Sequence, residues 1–387
     1  MTRLFLSAAA LGATLAVAAP AALIPAAPAG AETLKVAVGY PPGTAGDRTY
    51  QAFAEDLAAR TDGKLDAKVY PMNLLSFAEA LSGVRDGIGD LTLIATPYFL
   101  SELPRTNFVM ELVALGELEA PDPLTGSKAL IGAMSEYILT ECETCREEFA
   151  AQNQIFLAAS SGTRNTLICT KPVETQADLA GLRIRAGGAF WSRWVSGMGA
   201  SAVSIPGNEV FEALNQGVVD CTSMSAAELK GFGLAEVATD VTTTVPGGVF
   251  MAAAASMNLD AWRGLDDAGR AAVLRGAADI SAGLFSRYHD EAETSLAAAR
   301  EAGIAVHDAT PALSEASRAY LRQDLDAIVA SYAERFGYED GAQVVERLRA
   351  LMARWIPLVE GADDREALAE VYWRELHSRI DATSYGL

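Results

Sequence analysis

The sequence specifies an α/β protein of two lobes. Three observations carry that reading: the length, an alternation of strand-like and helix-like runs, and the restart of that alternation near the middle. At 387 residues the chain is long for one hydrophobic core and suits two. With 50% hydrophobic and 21% charged residues, it has the composition of a globular protein and not of a disordered one.

The first set of elements begins with "TLKVAVGY", a β-rich opening strand followed by the loop "PPGTAG". "DRTYQAFAEDLAART" places Tyr50, Phe53 and Leu57 at helical spacing, with Asp47 as the expected N-cap. "KLDAKVYP" alternates Leu65, Ala67 and Val69 as a strand, "SFAEALSGVRDG" is a short amphipathic helix closed by Gly87, and "DLTLIAT" is a third strand. This β-α-β-α-β order predicts a largely parallel sheet covered by helices.

The pattern restarts after residue 153. "QIFLAASSG" and "RNTLICT" read as strands, then "LRIRA", "SAVSIP" and "VDCTSM", with helices over "AFWSRWVSGMG" and "NEVFEALNQGV". From Asp266 to about Ala302 no proline interrupts a three-and-four apolar spacing, which predicts one long helix crossing between the lobes. After the strand "GIAVHDA" the chain is helical, with "PLVEGA" separating the last two helices. The expected organisation is a leader at 1–31, one lobe from 32–160 plus 248–287, a second from 161–247 plus 288–345, and a helical extension at 346–387.

The first thirty residues carry one cation, Arg3, then an apolar run, small residues and the triplet Ala29-Gly30-Ala31. This is the pattern of a cleaved secretory signal and predicts export to the periplasm. Pro20, Pro25 and Pro28 argue against a membrane anchor. The formal charge of −20 excludes a nucleic-acid or anionic-lipid surface. In an oxidising compartment the four cysteines suggest two disulfides, with Cys142–Cys145 and Cys169–Cys221 the preferred pairing. The spacing of "ECETC" also fits a redox pair, but its helical surroundings favour a structural bond.

No glycine-rich phosphate loop, nucleophile elbow or metal-ligating cluster stands out, so neither cofactor, metal nor catalytic residue is expected. "GTAGDR" lacks the third glycine of a dinucleotide loop. The informative residues are arginines. Arg185 ends "LRIR" just before Gly187 and Gly188, at the carboxyl end of a strand, where open α/β sheets bind ligands. Its planar fork matches a carboxylate, and the glycines let backbone approach. Two readings stay open on these residues: a ligand clamp, or a structural pair with Glu209 or Asp220. Arg183 is assigned to solvent or a surface pair. Arg164 lies in "SSGTRNTL", between two strands.

The stretch "GTRNTLICTKPVETQADLAGLRIRAGGAFWSRWVSGMGASAVSIPGNEVFEALNQGVVDC" resembles the core of the solute-binding proteins of tripartite ATP-independent periplasmic (TRAP) transporters, of the dicarboxylate-binding type. The likeness spans about residues 33–320 and is most specific over 160–220. The resemblance implies a Venus-flytrap binder that closes on a small organic acid and passes it to one small and one large integral membrane subunit. It implies that Arg185 is the carboxylate clamp and Arg164 a second contact. Where the family usually carries an asparagine that touches the ligand, this chain has Met224. With Phe190 and Trp191 after the clamp, that exchange predicts a ligand with an apolar or aromatic body, whereas Trp194 is assigned to the core. Tyr98, Tyr40 and Thr44 are the first-lobe candidates for the cleft. Residues beyond about 320 are expected to wrap the second lobe or meet the membrane partner. The competing readings are a binder for another transporter or sensor and, behind it, an exported α/β enzyme.

Overall fold

In a computed structural model, residues 32–245 and 247–387 are described; the expected leader lies outside them. Two mixed sheets organise the chain. The strands are β1 (Glu32–Val38), β2 (Leu65–Pro71), β3 (Leu91–Ile94), β4 (Gln154–Arg164), β5 (Thr166–Cys169), β6 (Arg183–Ala186), β7 (Ser201–Ser204), β8 (Cys221–Met224), β9 (Asp240–Thr243), β10 (Val249–Asn258) and β11 (Ala305–Asp308). The first sheet runs β2-β1-β3-β10-β4 and the second β11-β9-β5-β8-β6-β7.

The expectation of largely parallel sheets holds only for part of each. β1 pairs in parallel with β2 and β3, but β10 is antiparallel to β3 and β4. In the second sheet β6 is parallel to β7 and β8, and β5 is antiparallel to β8 and β9. The reason is connectivity. β4 leads through Asn165 directly into β5 of the other sheet, and β9 returns by a short link into β10. The chain thus leaves the first sheet along β4 and re-enters it along β10, so these two neighbours run in opposite directions.

The first helix, Ala45–Arg60, packs on the long helix and β2 and buries Tyr50, Phe53 and Leu57, as their spacing dictates, with the Tyr50 hydroxyl donating to the Ala254 carbonyl of β10. Its cap is Thr44 rather than Asp47: the Thr44 hydroxyl accepts from the Asp47 amide at 3.3 Å, and Asp47 sits one turn in, accepting from the Gly43 amide. The long helix is Asp267–Glu301, opened by Asp266, whose side chain accepts from the Gly269 amide. It packs on the first helix and β4, then reaches the short helix Glu228–Gly231 and β11 beside the second sheet.

Both disulfides form as preferred from the sequence. Cys142–Cys145 sits where the helix Pro123–Glu136 ends in a wide turn before Glu143–Ala151, and Cys169–Cys221 joins register partners of β5 and β8. The C-terminal part departs from expectation. Helix Gly341–Val359 runs through Pro357 instead of stopping before it. It packs on Pro123–Glu136, with Trp355 Nε1 donating to Glu136 at 2.6 Å, while the preceding helix Pro311–Phe336 does lie against the second lobe, on Ala189–Gly197. Helix Arg365–Glu375 lies on the long helix, and Tyr385 donates to the Phe156 carbonyl of β4. The extension therefore thickens the first-sheet side.

Candidate functional site

A cavity of about 90 Å³ opens where the carboxyl ends of strands from both sheets face each other. That is several times the ~10–15 Å³ that holds one water. Tyr40, Phe77 and Tyr98 line it from the first lobe, Arg185, Ser223 and Met224 from the second, and Tyr288 from the long helix. The walls are mostly aromatic and aliphatic, with a few polar groups converging, as in small-molecule sites generally.

Arg185 is the central charge. Alternation puts Arg183 and Arg185 on one face of β6, yet their surroundings differ. Arg183, at the start of the strand, is exposed and pairs with Asp220 at 3.1 Å, which Lys171 also engages at 2.7 Å. Arg185, near the other end, is 3% exposed. Its Nε donates to the Ile205 carbonyl at 2.8 Å and its Nη2 to the Tyr98 hydroxyl at 3.2 Å. Among the described residues it forms no salt bridge, so neither Glu209 nor Asp220 is its partner. Burial pulls the guanidinium below its ordinary pKa, and Tyr98 and Glu228 only partly oppose this. An arginine still holds its proton at neutral pH, so a buried cation is left without a salt-bridge partner among the described residues.

Of the two glycines after it, Gly188 is sterically required and Gly187 is closely packed. A Cβ on Gly187 would stand 3.1 Å from Arg185 Nη1, and one on Gly188, at φ +151°, would stand 2.5 Å from Pro97 of the facing lobe. Tyr98 spans the same gap, its hydroxyl accepting from the Gly207 amide at 2.9 Å as well as from Arg185.

Of the residues expected from sequence, Arg185, Met224, Tyr98 and Tyr40 are brought together around this cavity. Three are not. Arg164 turns away and pairs with the buried Glu117 at 2.8 Å, because that carboxylate on the neighbouring helix Ala114–Leu118 is the nearer anion. Phe190 packs edge-on against Trp191 at 5.0 Å and lines a separate cavity of about 20 Å³ beside Met110 and Glu111. Thr44 spends its hydroxyl on capping, donating to the Pro41 carbonyl at 2.8 Å. Trp191 does line the main cavity, whereas Trp194 is core and donates to Ser317 at 2.7 Å.

Sequence reasoning missed Glu228, Tyr288 and Ser161. Glu228 lies in "SAAELKG" and Tyr288 in the long helix, where no motif marks them. Tyr288 donates to Glu228 Oε1 at 2.9 Å, and burial pushes the Glu228 carboxyl up to about 7. The Ser161 hydroxyl is buried in the lining without a partner, a group a ligand would satisfy. The small-residue run "AASSG" before Arg164 was the available signal for Ser161.

The sequence model for bacterial extracellular solute-binding protein family 7 (DctP) matches residues 40–333. A solute-binding protein of Albidiferax ferrireducens is 28% identical over 217 residues, 54% of this chain and 60% of that protein. Among solved structures, a marine metagenome TRAP solute-binding protein specific for aromatic acid ligands, in complex with metahydroxyphenylacetate, superimposes with a TM-score of 0.72 at 20% identity. The match covers 84% of this chain and 99% of that one. A TRAP periplasmic solute-binding protein of Bordetella bronchiseptica with bound mandelate gives 0.68 at 22% identity, over 83% and 99%. A two-lobe fold of that architecture and a sequence match over most of the chain place the protein in family 7 of the bacterial extracellular solute-binding proteins.

Proposed function

We propose that the protein captures a small organic acid with an apolar or aromatic body in the periplasm and hands it to the small and large membrane subunits of a TRAP transporter. The observation that carries this reading is Arg185, a buried guanidinium facing an aromatic-walled cavity and forming no salt bridge with the described residues. The ligand's carboxylate takes the fork of Arg185, its body lies against Trp191, Phe250 and Met224, and the Ser161 hydroxyl gains a partner. Closure removes water from these bonds and strengthens them. Ligand shifts the hinge by its greater affinity for the closed form. The similar structures that hold aromatic acids and mandelate support the same ligand class.

The test is a thermal-shift screen with phenylacetate, 3-hydroxyphenylacetate, mandelate, pyroglutamate and succinate. A ligand at about 100 times its Kd adds about 2.7 kcal/mol of stability. Arg185→Ala is expected to abolish that gain while the unliganded variant stays folded. A variant that keeps the full response refutes the clamp.

A further inference from the structure

The cavity holds a second ionisable group that the clamp does not use. Glu228 is 7% exposed and lines the same space as Arg185. Among the described residues it has no salt-bridge partner; its side-chain hydrogen bond comes from the neutral Tyr288 hydroxyl. The cations nearest in the fold are already committed: Lys230, on the same short helix, and Arg48, on the first helix, both pair with Glu291 of the long helix, at 2.6 and 2.5 Å. Glu291 acts on Glu228 as a like charge, Arg185 on β6 as an opposite one. Tyr40 and Tyr288 are buried phenols whose pKa values burial drives up, so they stay neutral. Glu236, on the turn that follows, is exposed.

Charge counting then constrains the ligand. With Glu228 ionised, the cavity is balanced by Arg185 before anything enters. A monoanion arriving at Arg185 would leave one uncompensated negative charge in a closed, water-poor space, which is costly. A dianion would leave two. Protonating Glu228 restores balance for the monoanion and still not for the dianion. The same step turns the carboxyl into a hydrogen-bond donor within the lining.

Resting on the carboxylate reading above, we propose that Glu228 sets the charge of the ligand: the site binds a singly charged acid together with one proton, which Glu228 takes up, and rejects dicarboxylates. The group sits near neutrality in the empty site, which suits the role, because burial has already brought it to about 7.

The experiment is calorimetric titration of the mature protein with phenylacetate and mandelate at pH 6 and pH 8, in two buffers of different ionisation enthalpy, with 3-carboxyphenylacetate as the dianion. Wild type is expected to bind the monoanions about tenfold more weakly at pH 8 than at pH 6, taking up close to one proton at pH 8. Glu228→Gln is expected to remove both the pH dependence and the proton uptake while keeping the pH 6 affinity, and to gain affinity for 3-carboxyphenylacetate. Tyr288→Phe, which leaves the carboxyl in place, should keep the proton uptake. Monoanion binding that is independent of pH and without proton uptake, or a dependence that survives Glu228→Gln, overturns the proposal and leaves the clamp standing. Wild-type binding of the dianion as tight as that of phenylacetate also overturns it. If wild type binds neither monoanion at either pH, the carboxylate reading has failed and this proposal falls with it.

Discussion

Two arginines eight residues apart, Arg185 buried and Arg193 half-buried, are treated in opposite ways. Arg193, on the helix Ala189–Gly197, meets Glu111 at 2.8 Å and Asp324 at 2.9 Å. Tyr332 and Tyr320 add hydroxyl bonds to the same two carboxylates. Those partners come from the helices Pro104–Glu111 and Pro311–Phe336, so the junction ties three parts of the chain together, and its carboxylates hold the Arg193 guanidinium well above its ordinary pKa. Arg185 has a carbonyl, a phenol and an open space. The contrast is one of pairing: where three parts of the chain must be tied together the guanidinium is clamped by two carboxylates, and where the cavity opens none is bonded to it.

Breaking the paired site should have the largest effect on stability. Arg193→Ala strands two buried carboxylates and is expected to cost about 3–5 kcal/mol in denaturant unfolding. Arg185→Ala, by contrast, should leave unliganded stability nearly intact, and equal losses in the two variants would erase the distinction. Glu228→Gln sharpens the comparison from the other side. The folded-state pKa of Glu228, about 7, lies above its ordinary 4.5, so the unfolded chain gives up this proton first. Stability therefore falls as pH rises through that window and stays reduced above it. The Gln variant escapes this, and its unliganded melting temperature should rise above wild type between those values, reaching a gap worth about 3 kcal/mol at pH 8 and none at pH 4. The smallest effect is at Met224, which lines the cavity at the position where the resemblance implies an asparagine. Met224→Asn should improve succinate binding by about 1 kcal/mol in titration, and no change would count against that correspondence.

Much of this was legible in the sequence, for identifiable reasons. The long helix announced itself because an unbroken apolar spacing from 266 to 302 has few other solutions. Arg185 stood out because a cation, a strand end and two glycines coincide, and the second glycine proves to be sterically required. The antiparallel entry of β10 was not legible, since local pattern does not say from which side a strand enters a sheet. Arg164 was misplaced in the cleft because its partner, Glu117, lies 47 residues away on a helix that nothing local connects to it. The Glu228–Tyr288 pair was hidden for the same reason, its members being 60 residues apart in sequence.

The contact between Gly188 and Pro97 has a further meaning for selectivity. It brings main chain against a proline ring, with no side chain left to yield, and so acts as a mechanical stop on how near the halves can come. An acid too short to reach both walls cannot be rescued by tighter squeezing. On the proposed reading, a glycine would set a lower bound on ligand size, and Glu228 would judge the charge of the acid in the same chamber.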